Sequence, residues 1–197
     1  MNINRRPTGL ARPLVLALAF VSAPAVTAVA SASATSTTIA VTCATTTANW
    51  GSRAKSLNRL SAAPITNVRA GRNPCFDRMV LDLRGKGAGF TVRYVAQVRN
   101  QGQGAVIPLR GGAKLDVVIK APTYNVSTGA STYNPASSRE LVNVTGFSTF
   151  RQLASGGSFE GYTTVALGVR ARLPMRAFIL DGPGVSSRLV VDVAHQW

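Results

Sequence analysis

The chain is poor in the residues that most enzymes rely on: it has one histidine, His195, two cysteines, Cys43 and Cys75, and only seven acidic residues. Each scarcity excludes a class of chemistry. A zinc site needs four close ligands or three with a water, and one histidine with scattered carboxylates does not supply them. A nucleophilic Cys75 would need a base, for which only His195 is available. A Ser-His-Asp reading fares no better, because Asp192 and His195, three apart on a strand, point to opposite faces. The stretch Gly156-Gly157-Ser158-Phe159-Glu160 also lacks the last glycine of a nucleophile elbow. His195 therefore reads as a surface histidine near the end of the chain. Glu140, Glu160 and an aspartate could supply a glycosidase pair only if folding set them at the required spacing, which sequence does not show. The glycine clusters lack the strand-to-helix setting of a phosphate-binding loop or a dinucleotide fingerprint. The chain is expected to need no cofactor and no metal, and to be no enzyme.

Long apolar runs are also scarce, with one exception at the start. Arg5, Arg6 and Arg12 flank a stretch, residues 13–30, that carries no charge and contains Leu14, Val15, Leu16, Leu18, Phe20 and Val21. It closes on Ala28-Val29-Ala30 and then Ala32-Ser33-Ala34, small residues that suit a signal peptidase. Pro13 and Pro24 bracket the apolar part, leaving it shorter than the roughly 18–20 residues that span a bilayer. Residues 1–30 read as a removable signal peptide, cleaved after residue 30 or 34, with no transmembrane segment in the mature chain. Arg5-Arg6 between Asn4 and Pro7 fits the twin-arginine pattern poorly. Residues 31–48, rich in Ser, Thr and Ala, read as a flexible leader, and residues 49–197 as one domain. Export places Cys43 and Cys75 in an oxidising compartment, where pairing is the default. Closing a loop of about 33 residues stabilises by roughly 3.5–4 kcal/mol in the chain-entropy model.

Charge of one sign dominates what is left. The chain has 22 lysines and arginines against seven acids, a formal charge of +15. All seven acids lie after residue 76, so without the first 30 residues the charge is still +12. Such an excess concentrates anions and promotes salt-sensitive association with anionic partners. Outside a cell these are wall polymers, anionic lipids and shed nucleic acid; the charge alone also serves solubility. The cations are spread from Arg53 to Arg188 and form no dense run of the nucleic-acid-binding kind. No specific nucleic-acid partner is expected.

Period-two alternation pervades the domain. Phe90, Val92, Tyr94, Ala96 and Val98 share one face of residues 90–98. Leu115, Val117 and Ile119 share a face of residues 114–120. Met79, Leu81 and Leu83 do so in residues 78–83, and Leu189, Val191 and Val193 in residues 189–193. Residues 162–169 and 177–180 are further strand candidates. Glycine-rich turns separate them, notably residues 85–89, 102–104, 111–112, 156–157 and 181–184. Short helices could form at residues 52–60 and 148–153, and nothing sustains a long one. The expectation is an all-β fold, an antiparallel β-sandwich or a partly closed barrel, with at most one or two short helices.

One pattern occurs twice. Arg78-Met79-Val80-Leu81-Asp82-Leu83 and Arg188-Leu189-Val190-Val191-Asp192-Val193 share the form Arg-apolar-apolar-apolar-Asp-apolar. Both resemble the strands of AMIN domains, envelope modules found beside cell-wall amidases and secretins. Further stretches resemble the secreted single-domain AMIN-like proteins of actinobacteria. Among them are Trp50-Gly51-Ser52, Asn73-Pro74-Cys75-Phe76-Asp77-Arg78, Pro108-Leu109-Arg110-Gly111-Gly112, Thr149-Phe150-Arg151-Gln152, Ser158-Phe159-Glu160-Gly161, residues 168–174 and the ending Val191-Asp192-Val193-Ala194-His195-Gln196-Trp197. The likeness runs from Trp50 to Trp197, although a long middle segment separates the two motif strands. It implies a non-catalytic β-sandwich that targets the envelope, with peptidoglycan or an associated anionic wall polymer as ligand.

The binding candidates follow from residue chemistry. Arg170 and Arg172, two apart in an extended segment ending at Pro174, would form a cationic stripe with Arg176, able to fork onto carboxylates or phosphates. Phe150 with Arg151, and Phe159 with Glu160, each mix an aromatic and a polar group. Tyr124, Tyr133, Phe147 and Tyr162 could stack on sugar faces. The plainer alternative puts Phe150 and Phe159 in the core, pairs Arg151 with Glu160, and leaves Arg170 and Arg172 solvated. Asp82 and Asp192 are expected to be structural partners of Arg78 and Arg188. Beside wall binding stand two other readings: an accessory or inhibitor of a wall enzyme, which would show an apolar patch, and a secreted hydrolase, which would show a deep cleft.

Overall fold

The computed structural model describes Cys43 and residues 49–197. The stretch read as a signal peptide and, apart from Cys43, the stretch read as a flexible leader lie outside the described residues. The strands are β1 (Lys55–Leu57), β2 (Ile65–Arg72), β3 (Phe76–Leu83), β4 (Phe90–Val95), β5 (Ala113–Ile119), β6 (Phe150–Phe159), β7 (Tyr162–Val169), β8 (Met175–Asp181) and β9 (Ser187–Ala194). They form two sheets, ordered β1-β4-β5-β7-β6 and β2-β3-β9-β8, with every pairing antiparallel. The sheets do not close into a barrel, and no helix occurs among the described residues. The protein is an all-β sandwich.

The alternation seen in the sequence makes the core. One buried cluster takes Met79, Leu81 and Leu83 from β3 and Leu189, Val191 and Val193 from β9. From the other sheet it takes Leu115, Val117 and Ile119 of β5 and Val165, Leu167 and Val169 of β7. Because successive residues of a strand face opposite ways, these are the inner faces of two stacked sheets. A second, smaller cluster of Val98, Ala154 and Ala166, with Ile107 and Leu109 against it, packs residues 98–109 onto the other side of the five-stranded sheet.

Both stretches that read as short helices hold strand instead. Residues 52–60 contain β1, three mostly exposed residues paired with β4. Residues 148–153 run into β6, whose pairing with β7 shifts register between Phe150 and Gln152 and again between Ser155 and Ser158. Each bulge adds a residue and resets which side faces inward, so β6 shows no sustained alternation.

The repeated motif has a topological meaning. β3 and β9 are neighbours, in the register Arg78↔Asp192 and Asp82↔Arg188. The long middle segment that separates them in sequence builds most of the other sheet. Asp192, fully buried, accepts from Arg78 Nε at 2.7 Å and Nη2 at 2.9 Å, and from Arg176 Nε of β8 at 2.7 Å. Of the two aspartates expected to serve Arg78 and Arg188, Asp192 does pair with Arg78. Asp82 instead takes Arg69 of β2, at 2.8 and 3.1 Å, and Arg188 has no carboxylate.

Cys75, just before β3, is bonded to Cys43 with the Cα atoms 5.3 Å apart. Among the described residues no helix is long and apolar enough to cross a membrane.

Candidate functional site

Strand β6 is an edge of the five-stranded sheet, and its open side is covered by a loop. Leu141 N–H donates to Leu153 O at 2.8 Å, and Ser155 N–H to Ser138 O at 2.7 Å. The Gln152 side chain ties this loop to another: its amide donates to Arg139 O at 2.9 Å, and its Oε1 accepts from Arg110 N–H at 2.8 Å. The Arg110 backbone itself lies against Gly168 of β7, where any Cβ would collide with the Arg110 carbonyl oxygen. Glycine at 168 is therefore what lets Arg110 reach this position.

Two hollows of about 520 Å³ each lie along this edge and share Arg110 and Glu140 as lining residues. The first is also lined by Asn143, Thr145, Phe147 and Arg151, and the second by Ile107, Leu109, Arg139 and Gln152. Both volumes fall within the usual range for small-molecule sites. Arg110 forms an ion pair with Glu140, whose hydrogen bond raises the guanidinium above its ordinary pKa. Its other arm donates to Arg151 O at 3.0 Å. Arg151 in turn donates to the carbonyls of Phe147, Phe150 and Ser148 at 3.0, 2.9 and 3.2 Å. Phe147, half-buried, stacks on the buried Phe150 with ring centroids 6.0 Å apart and planes 8° from parallel. The result is an aromatic wall beside an amide, a hydroxyl and two arginines, with one carboxylate that is already paired.

Of the residues picked from sequence, Phe150 and Arg151 meet in this groove, Phe150 as core and Arg151 as a cap on loop carbonyls. The others lie elsewhere. Arg170 donates to His195 O, and Arg172 to Ser52 O at 3.3 Å while its guanidinium sits 5.0 Å over the Tyr94 ring. The segment between β7 and β8 that carries them is bent and not a strand. Arg176 lies between the Trp50, Phe76 and Phe178 rings, 4.6–5.5 Å from their centroids, with its Nε on Asp192. Tyr162 sits at the β6–β7 hairpin beside the exposed Phe159. Arg110, Glu140, Asn143 and Phe147 are the groove residues that sequence reasoning did not single out together. The sequence names Phe147 for stacking on sugars and Glu140 as a carboxylate, but nothing in it brings them to Arg110 and Asn143.

His195 is not a free surface group. Its Nε2 lies 3.2 Å from Asp77 Oδ1, and Asp77, fully buried, accepts from Thr149 N–H at 2.6 Å and Phe150 N–H at 2.9 Å through its other oxygen. Asp192 does face the other side of β9, as expected. Among the described residues no hydroxyl hydrogen-bonds the imidazole, and no group of three or more His, Cys, Asp or Glu residues could hold a metal.

The fold and this site define a β-sandwich module with a polar, aromatic-walled surface groove. A family model of the AMIN-like domain matches residues 63–195, which include both motif strands and the whole groove. The chain belongs to the AMIN-like domain family. No curated protein and no solved structure was found to match it.

Proposed function

We propose that the protein is a non-catalytic, secreted envelope module whose groove along β6 binds peptidoglycan or an anionic polymer attached to it. One observation carries the reading. The groove sets the Phe147 ring beside Asn143, Thr145, Arg110 and Arg151, with Glu140 neutralised by Arg110. A sugar has an apolar face that packs on an aromatic ring and hydroxyls that pair with amide and hydroxyl groups. A carboxylate on the sugar or its substituent meets the arginines in a charge-assisted pair. Family membership, the disulfide and the N-terminal apolar stretch support a place outside the cytoplasm.

The test is co-sedimentation of the purified protein with cell-wall sacculi across a salt series, with sacculi stripped of anionic side polymers in parallel. Retention on stripped sacculi at physiological salt is the expected outcome. Binding confined to low salt, where charge is unscreened, would reduce the interaction to bulk attraction.

A protein partner is the second reading, and one feature favours it. Leu60, Phe159 and Tyr162, 61%, 51% and 36% exposed, lie around the β6–β7 hairpin. A wall enzyme docking there would be retained by the protein in the absence of any wall polymer.

A further inference from the structure

The repeated motif predicts two reciprocal ion pairs, and the fold forms one. In the antiparallel register, Arg78 faces Asp192 and Arg188 faces Asp82. Four arginines stand on the outer face of the four-stranded sheet: Arg69, Arg78, Arg176 and Arg188. Three of them give Nε to a carboxylate, Arg69 to Asp82 and both Arg78 and Arg176 to Asp192. Arg188 gives its Nε to nothing, although that nitrogen is buried. Buried donors in native proteins nearly always have acceptors, so Arg188 stands apart from the other three arginines of this face.

Beside Arg188 lies a hollow of about 270 Å³, lined by Thr66, Asp82, Arg84, Ser186, Ser187 and Arg188, where the β8–β9 turn meets the end of β3. Arg84 has no carboxylate partner among the described residues. Asp82 is the one acid in the lining, and the two hydrogen bonds from Arg69 neutralise it. The balance of Arg69, Arg84 and Arg188 against Asp82 leaves the hollow cationic. Ser186 adds a hydroxyl, and the Thr66 hydroxyl is already spent on the Asp82 carbonyl at 3.3 Å. The volume suits a tetrahedral oxyanion and a few atoms attached to it.

We infer that Arg188 and Arg84, neither with a carboxylate partner among the described residues, form an anion site in this hollow that takes a phosphate group. Guanidinium forks match phosphate oxygens two at a time, and an arginine is the side chain suited to that geometry. The phosphate can be free or part of a phosphodiester polymer; the recognising chemistry is the same. This site is separate from the groove along β6 and stands whether or not that groove binds a wall polymer.

The experiment is a phosphorus NMR titration at physiological salt with two probes, inorganic phosphate and a glycerol-phosphodiester oligomer. It uses the purified protein and the variants Arg188→Gln, Arg84→Gln and, as a charge control, Arg53→Gln. Saturable binding is expected. Arg188→Gln and Arg84→Gln should each weaken it at least about tenfold, as loss of a charge-assisted fork should, with Arg53→Gln near wild type. Tighter binding of the oligomer per phosphate assigns the site to a polymer, and equal or tighter binding of inorganic phosphate assigns it to the free ion. Circular dichroism checks folding, and if Arg188→Gln does not fold, Arg84→Gln carries the test. No saturable binding of either probe would overturn the inference. So would weakening by Arg84→Gln no greater than by Arg53→Gln.

Discussion

At the scale of single residues, the buried Asp192 carboxylate ties three neighbouring strands of the four-stranded sheet through their side chains. Asp192 has two arginine partners on two strands, and removing it leaves both guanidinium groups facing an apolar void. Because the two arginines are about 30% exposed, water compensates part of the loss. Asp192→Ala should destabilise by about 3 kcal/mol, the lower end for a broken buried pair, measured as the shift in a urea unfolding midpoint. Tyr94 provides a pH signature. Burial pushes its phenol up from the ordinary value, against smaller opposing effects from its bond to Leu173 and from Arg172. A group with a raised folded pKa contributes stability that is present below its unfolded value and lost as pH rises. Stability should therefore fall above about pH 10, and Tyr94→Phe should flatten that fall. An unchanged slope in the variant would assign the alkaline loss to other groups. At this scale sequence was a partial guide. The repeated motif named Arg78 and Arg188 as partners for Asp82 and Asp192 without showing which would meet, and only the Arg78–Asp192 pair forms. It could not show that Arg69, on a third strand, would take Asp82 first, or that His195 would turn inward onto Asp77.

Among the elements, strands with clean alternation were legible and strands with interruptions were not. Residues 78–83, 114–120, 162–169 and 189–193 alternate or run apolar, and all lie in central strands with neighbours on both sides. The three strands missed in the sequence, β1, β2 and β6, are all sheet edges, the first too short to show a period, the second bulged once and the third bulged twice. The groove was illegible for the same reason, since it is assembled along β6 by two loops whose meeting no periodicity encodes. Gly168 is the element-level key to it. Gly168→Ala would press a methyl group into the Arg110 carbonyl, so β7 or the Arg110 loop must shift. A loss of about 2 kcal/mol is expected, within the range for overpacking. It should bring weaker retention on sacculi, which a purely stabilising role for Gly168 would not.

For the molecule as a whole, charge is distributed unevenly in kind. Five of the seven acids pair with a lysine or arginine and a sixth, Asp77, lies on His195, while most of the 19 lysines and arginines from residue 49 onward have no carboxylate partner among the described residues. The formal excess visible in composition is therefore an excess at the surface. The disulfide ties Cys43 to the start of β3 across 32 residues. Its reduction should lower the unfolding temperature by on the order of 10 °C, read by calorimetry with and without reductant. Composition and charge pointed to an exported module with an anionic partner, and of this the family match supports the coarser reading of a wall-related module. We propose that the groove along β6, and not bulk charge, holds the wall polymer. It is tested most directly with Asn143→Ala/Phe147→Ala, which leaves net charge untouched. Retention of this double variant on stripped sacculi at physiological salt should fall at least about tenfold relative to wild type, as expected when an aromatic contact and an amide are lost together. Equal retention of the two proteins would contradict the assignment of the groove.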